Sequence, residues 1–264
     1  MKIGCCVNMV SEDSRKIGAS RIPLLDELGY DYVELPLAQL MELDEAELAE
    51  LCSLLETLTI PCESCNNFFP ASVRITGPEA DMDKILDYAR TAIPLAAGLG
   101  AKTIVFGSSG AKNVPEGFSK EAAFGQVTAA LQAIAPILAE YGVTAAIEPI
   151  CHLEGNLILN EAEAIRLMQA VDRPQVKLLA DYYHMSVEGE NPAILRQAGA
   201  DLRHVHIAVP EGRVWPTGSH AGLKRFFEEL KNSGYNGRVS IEAYSADFEA
   251  DAPKALENLR RNYL

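Results

Sequence analysis

Eight short apolar, β-branched runs alternate with longer amphipathic patterns, glycine closes several of the helical stretches, and no linker separates any two units. These observations predict the α/β class, as one (β/α)8 TIM barrel forming a single domain over residues 1–264. Strict βα alternation calls for parallel strands with helices outside them, and eight repeats favour closing the sheet over leaving it open. The length suits closure, because such a barrel takes about 250 residues.

The first run is Ile3–Val7, entered directly from Met1 and Lys2. Tyr32–Leu35 is the second, reached through Leu28-Gly29-Tyr30-Asp31, where the glycine ends a helical stretch. Ile60–Ser64 is the third; before it Leu48, Leu51, Leu55 and Leu58 recur at steps of three and four, the spacing of one buried helical stripe. Thr103–Phe106 follows the turn Leu99-Gly100-Ala101-Lys102. Val127, Leu131, Ile134 and Leu138 mark the next helix, which Gly142 closes ahead of Thr144–Ile147. Val176–Leu179, Leu202–Ile207 and Arg238–Ile241 complete the set, the last behind Ser233-Gly234-Tyr235.

Composition removes several classes of function. With 37 acidic against 23 basic residues the formal charge is −14, and no basic stripe exists to release counterions from a phosphate backbone, so no nucleic-acid partner is expected. No run of about 20 apolar residues suggests a membrane span, and the N-terminus enters a strand at once, which reads as cytoplasmic. The six cysteines are scattered; Cys62-Glu-Ser-Cys65 is a lone CxxC, read as buried thiols on a strand. The turn after the first strand, Asn8-Met9-Val10-Ser11-Glu12, has no GxGxxG, and the chain has no GxxxxGK[ST], which sets dinucleotide and P-loop chemistry aside.

Barrel active sites form at the carboxyl ends of the strands. There the second half of the chain delivers Glu148, Asp181, His206 and Glu242, spaced 33, 25 and 36 residues apart, about one βα unit each. One acidic residue after a strand is often a helix N-cap, but three carboxylates converging on one mouth repel each other unless a cation joins them. An oxygen-rich set with one imidazole suits Mn²⁺, with Mg²⁺ or Co²⁺ as alternatives. His204 and His206 share the inward face; His206, nearer the strand end, is the expected ligand, and His204 a satisfied polar group deeper in the barrel.

The runs Glu148-Pro-Ile-Cys-His-Leu-Glu154 with Asn160 beyond it, Asp181-Tyr-Tyr-His184-Met185, His204-Val-His206 and Gly234-Tyr235-Asn-Gly237-Arg-Val-Ser-Ile-Glu242 resemble the xylose isomerase-like barrels, in particular their D-tagatose/D-psicose 3-epimerase branch. The resemblance runs from about Ala145 to Tyr244; over the N-terminal half it rests on Gly29-Tyr-Asp-Tyr-Val-Glu34 and Leu99-Gly-Ala-Lys-Thr-Ile-Val. It implies that Glu148, Asp181, His206 and Glu242 hold the metal and that Glu148 and Glu242 are also the catalytic acid/base pair. Glu154, His184 and Arg213 would bind the substrate. The loop Ala208-Val-Pro-Glu-Gly-Arg213 is one residue longer than the family pattern, and Ser219-His220 replaces an acidic residue.

The implied activity is a metal-dependent epimerase or isomerase of a small unphosphorylated ketose, working by proton abstraction through a stabilised enediolate. A keto-inositol-type dehydratase and a non-catalytic sugar-binding subunit are the alternatives. The multi-zinc endonuclease relatives would need more strand-end histidines than this chain has. The expected partner is a small sugar, with homo-oligomerisation left open. Three rim features stay open at this point: Glu34 reaches the substrate or caps, Phe68-Phe69 cover a sugar or pack a loop, and Trp215 joins a lid or a subunit contact.

Overall fold

In the computed structural model, which describes residues 1–264, the eight strands form a closed parallel barrel in chain order. They are β1 (Lys2–Cys6), β2 (Tyr32–Pro36), β3 (Cys62–Asn66), β4 (Thr103–Phe106), β5 (Thr144–Ile147), β6 (Val176–Asp181), β7 (Leu202–Ile207) and β8 (Arg238–Ile241), with β8 pairing β1. The main helices are α1 (Ile22–Leu28), α2 (Glu45–Thr57), α3 (Met82–Gly98), α4 (Lys120–Tyr141), α5 (Glu161–Val171), α6 (Tyr182–Val187), α7 (Ala221–Asn232) and α8 (Phe248–Asn262). Asp44 and Glu47 close a capping box on α2, and Asn160 caps α5 through the Glu163 N–H at 3.0 Å. Gly29 and Gly142 end α1 and α4 at φ 80° and 64°, a region where a side chain would strain the backbone.

Four strands differ from their expected bounds, β2 only by running one residue further, to Pro36. β3 starts two residues late because Pro61 has no N–H to give a ladder; its carbonyl still accepts from Val33 at 2.9 Å. β6 runs on to Asp181, and β1 stops at Cys6, where Val7–Val10 wind into a 3-10 turn. The apolar stretch Lys120–Tyr141 also departs from the expectation that nothing here is long enough to span a membrane: α4 has 22 residues and a mean hydropathy of 1.5 over its most apolar window. Its alanines raise that value, while Val127, Leu131, Ile134 and Leu138 are buried in the barrel core.

The main core, a cluster of 69 buried residues, lies largely between sheet and helices. Inside the barrel the filling is split. Val105, Ala146 and Leu179 form a separate apolar plug below β4 to β6, whereas the β1, β2, β7 and β8 side is filled by Tyr32, Glu34, His204, His206 and Ser240, all fully buried. Register sets this polar layer: Cys6 lies beside Glu34, and His206 lies between Asp181 and Ser240. Tyr32 fits because Gly4 opposite it has no side chain; a Cβ there would run into the phenol ring.

All six cysteines are free, with Cys62 and Cys65 buried on β3. Trp215 is neither lid nor exposed contact. It is buried, donates from Nε1 to the Ala243 carbonyl at 3.1 Å and meets Phe248 edge-on at 5.5 Å, because the large ring gains most from leaving water.

Gly4→Ala is expected to destabilise the barrel by about 1–3 kcal/mol, the usual cost of overpacking a filled interior. Urea unfolding checks this, and an unchanged midpoint would show that Tyr32 has room to move.

Candidate active site

Each polar group at the mouth stands where a strand runs out. Glu148 follows β5, its N–H bonded to the Phe106 carbonyl at 3.2 Å, and its carboxylate lies against Gly107, where a Cβ would collide with Oε2. Asp181 ends β6 and does two things: Oδ1 accepts from the Tyr183 N–H at 2.7 Å and caps α6, while Oδ2 is buried with no hydrogen-bond partner. Glu242 follows β8, held by a 3.0 Å bond from its N–H to the Ile207 carbonyl. One turn after Asp181, His184 on α6 completes a group of four whose ligand atoms lie within 4.8 Å of one another: Glu148, Asp181, His184 and Glu242.

His206 sits directly beneath this group. Its Nδ1 is 2.9 Å from Glu148 Oε1 and 3.5 Å from Glu242 Oε2, and its Nε2 is 3.0 Å from Glu34 Oε1. Proton accounting separates the two histidines. His184 Nδ1 accepts the Cys151 N–H at 3.3 Å, so neutral His184 carries its proton on Nε2, 3.5 Å from Asp181 Oδ2. That nitrogen is a donor and has no lone pair for a cation. His206 can keep its proton on Nε2 toward Glu34 and present Nδ1 to the carboxylates, so Glu148, Asp181, Glu242 and His206 are the set that could hold a metal ion.

The electrostatics of the group are uneven. Burial and the neighbouring Glu242 charge push the Glu148 carboxyl up, against the pull of His206. Asp181 is likewise raised, first by burial and then by Glu242, with His184 and Arg213 opposing. Glu242 is also buried, but Arg213 and His206 outweigh burial and lower it to about 2. Burial disfavours a charge on His206 too, yet Glu34, Glu242 and Glu148 around it hold its pKa well above the ordinary value. His184 is lowered by burial and stays neutral.

Arg213, on the loop after β7, reaches across the mouth. Its guanidinium pairs with Glu242, meets Glu154 at 3.1 Å, approaches Asp181 Oδ2 to 3.9 Å and lies 4.6 Å above the Tyr183 ring. Glu154 belongs to the site through this pairing. Above the group opens a cavity of about 510 Å³ with Asn8, Gln39, Asn67, Ser109 and Tyr244 among its walls. Asn67 at φ 50°, Ser108 at 29° and Arg213 at 50° hold left-handed backbone on its rim, a strain that surrounding contacts must sustain. A cleft of about 540 Å³ at the opposite barrel end contains Glu63 and Arg238, already paired at 2.5 Å, and none of the converging carboxylates.

The residues expected at the mouth from sequence, Glu148, Glu154, Asp181, His184, His206, Arg213 and Glu242, therefore come together. Glu34 neither reaches the rim nor caps; it is buried a layer lower, between His204 and His206. Phe68 packs into the core, and only Phe69 lines the cavity. In the sequence Lys112 stands just beyond the turn Gly107-Ser108-Ser109-Gly110, with nothing to mark it as part of the site. It is fully buried and donates to the Glu148 carbonyl at 3.0 Å, burial lowering its pKa to about 8 against the pull of Glu148. Glu34 and Ser240 share a missed signal: each lies at an inward position, Ser240 two residues before Glu242 as His204 is before His206.

The family model described as xylose isomerase-like TIM barrel matches residues 22–262. The L-ribulose 3-epimerase of Methylomonas sp. (strain DH-1) is 27% identical over 83% of this chain and 76% of its own length. The inosose isomerase of Bacillus velezensis is 26% identical over 86% and 83%. Three further relatives at 29–30% identity align over only 40–46% of their own length. Among solved structures, the D-allulose 3-epimerase from Methylomonas sp. in complex with D-allulose superposes with a TM-score of 0.86 at 24% identity, covering 100% of this chain and 97% of that one.

Asp181→Asn is expected to raise the Tm of EDTA-treated protein at pH 7 by about 2–6 °C, equivalent to roughly 1–2 kcal/mol, by removing a buried charge with one unbonded oxygen. The sign has a pH signature. A raised carboxyl costs stability when ionised and returns it as pH falls toward its ordinary value of 3.8, so the advantage of Asn should shrink as pH approaches 4. Thermal unfolding from pH 7 to 4 checks both, and a lower Tm for the Asn protein at pH 7 would contradict them.

Proposed function

The chain belongs to the xylose isomerase-like TIM-barrel family, and on that premise we propose that it is a metal-dependent epimerase or isomerase of a small, uncharged ketose or keto-sugar. The observation that carries this reading is the pair Glu148 and Glu242, which stand at the same mouth with their carboxyls pushed in opposite directions. Glu148 is thereby biased toward holding a proton and Glu242 toward the ionised form that can take one, which is the asymmetry that inversion at a carbon next to a carbonyl uses.

The donor set fits a divalent cation. Asp181 Oδ2 is buried and unbonded, three carboxylates crowd one point, and His206 Nδ1 faces two of them. Glu148, Asp181, His206 and Glu242 would hold the ion, and an oxygen-rich set favours Mn²⁺, or Mg²⁺ or Co²⁺, over a thiolate-type zinc site. When bound, the ion supplies Lewis acidity that makes the proton beside a substrate carbonyl easier to remove.

The remaining work falls to the chain. From one epimer, Glu242 takes the carbon-bound proton and Glu148 returns one from the other face; the reverse reaction exchanges their roles. His184 offers its Nε2–H to a substrate oxygen, and Arg213 with Glu154 orients the hydroxyls at the same end. The cavity wall of Asn8, Gln39, Asn67 and Ser109 supplies neutral hydrogen-bonding groups. The mouth's one guanidinium is already paired with carboxylates and Lys112 is turned inward to a carbonyl, which speaks for a substrate without phosphate. The inosose isomerase among the relatives keeps a cyclic keto-polyol beside open-chain ketoses as a substrate class.

Incubating Mn²⁺-loaded protein with a panel of ketoses and keto-polyols in D₂O, followed by NMR, should reveal deuterium at one carbon of the true substrate. Glu148→Gln and Glu242→Gln are each expected to lower that exchange by about 10²-fold or more while leaving the fold intact. EDTA should abolish it and Mn²⁺ restore it. Full exchange in both variants overturns the acid/base assignment, and loss of 18 mass units from the product identifies a dehydratase instead.

A further inference from the structure

Glu34 is fully buried in the barrel interior, a layer below the mouth, and has no part in the chemistry described above. Its contacts form a closed network. Oε2 lies 2.6 Å from His204 Nε2 and accepts from the Ser240 hydroxyl at 2.6 Å, while the Tyr32 hydroxyl lies 2.8 Å from Ser240 Oγ. Oε1 lies 3.0 Å from His206 Nε2. His204 Nδ1 has no partner, so its one proton is on Nε2, directed at Glu34. Every group facing the carboxylate is thus a donor, and Oε1 is left for a single task, to accept the Nε2–H of His206.

We propose that Glu34 is a positioning residue for the mouth: by accepting the His206 Nε2–H it keeps the Nδ1 edge of the ring turned toward Glu148 and Glu242, so that this nitrogen, on giving up its proton to an incoming ion, is the better metal ligand. This rests on the reading that His206 belongs to the donor set. A carboxylate on the far nitrogen of a ligating imidazole fixes the ring's tautomer and rotation, and removal of such a partner commonly weakens metal binding about 10–100-fold. Here the strands impose the arrangement. Glu34 on β2 and His206 on β7 both point inward, and β1 and β8 between them contribute Cys6, 3.8 Å from His206 Nε2, and Ser240. Cys6 is a poor rival acceptor because burial keeps its thiol protonated. Glu34 is buried too, but His204 and His206 outweigh burial and hold it ionised.

The test uses the full chain and Zn²⁺ alone as probe, chosen because it is diamagnetic. Isothermal titration gives Zn²⁺ affinity, and ¹⁵N–¹H spectra of the histidine rings report the His206 Nε2–H. In wild type this proton should be downfield and slow to exchange, with and without Zn²⁺. Glu34→Gln, which keeps the shape and removes the charge, is expected to weaken Zn²⁺ binding about 10–100-fold and to shift the resonance upfield. Ser240→Ala, which removes a Glu34 contact on the His204 side, should leave affinity within about threefold and the resonance in place. Where Glu34→Gln does not fold, Glu34→Asp, which keeps the charge at shorter reach, is expected to move both readings in the same direction.

Affinity of Glu34→Gln within about twofold of wild type overturns the inference, as does an equal loss in Ser240→Ala, which would reduce Glu34 to a general packing role. If wild type takes up no Zn²⁺, the metal reading falls separately, and the resonance alone decides Glu34: loss in Glu34→Gln upholds it, persistence overturns it.

Discussion

The constraint that organises this molecule is charge held out of water. Glu148, Asp181 and Glu242 converge on one point at the end of a barrel whose interior excludes solvent, and the mutual repulsion of buried carboxylates is severe. The protein meets it in two ways: His206 lies beneath as a counter-charge, and Arg213 reaches over from the rim; what they leave uncompensated shows in the raised carboxyls of Glu148 and Asp181. The same arrangement leaves Asp181 Oδ2 unbonded. A stability cost of this kind persists in a fold when function requires the groups to be there.

The rest of the barrel can be read as support for that point. Gly107 leaves room for the Glu148 carboxylate, Lys112 anchors its backbone from behind, and Asp181 is steadied by capping α6 with its other oxygen. The apolar plug of Val105, Ala146 and Leu179 fills one half of the interior, so the polar layer from Tyr32 to Ser240 is confined to the half that contains His206. Left-handed backbone at Asn67, Ser108 and Arg213 places side chains around the cavity at an energetic cost borne by the packed elements on either side.

Much of this is legible in the sequence. Period and turn chemistry located all eight strands, with errors where Pro61 delayed β3, where β1 shifted by one residue, and where β2 and β6 ran on at their ends. The strand-end rule selected Glu148, Asp181, His206 and Glu242, and resemblance added Glu154, His184 and Arg213. Residues whose meaning depends on depth were left open or misread. Glu34 follows the same pattern as a strand-end acid, yet the barrel's shear sets it a layer lower; Trp215 and Phe68 look like rim aromatics and are packing. Lys112 carries no local sign that it is buried.

Alternation and spacing along the chain are local properties, and by themselves they determined the fold class, the order of the elements and which residues face inward. Three-dimensional closure decided the rest. Which inward residues meet across the barrel depends on register and shear between strands distant in sequence, so the Glu34–His206 contact, spanning 172 residues, has no local signature. Protonation was likewise decided by tertiary structure. Glu148 and Glu242 are the same residue type at the same kind of position, and only their neighbours, Arg213 beside one and not the other, drive their carboxyls in opposite directions.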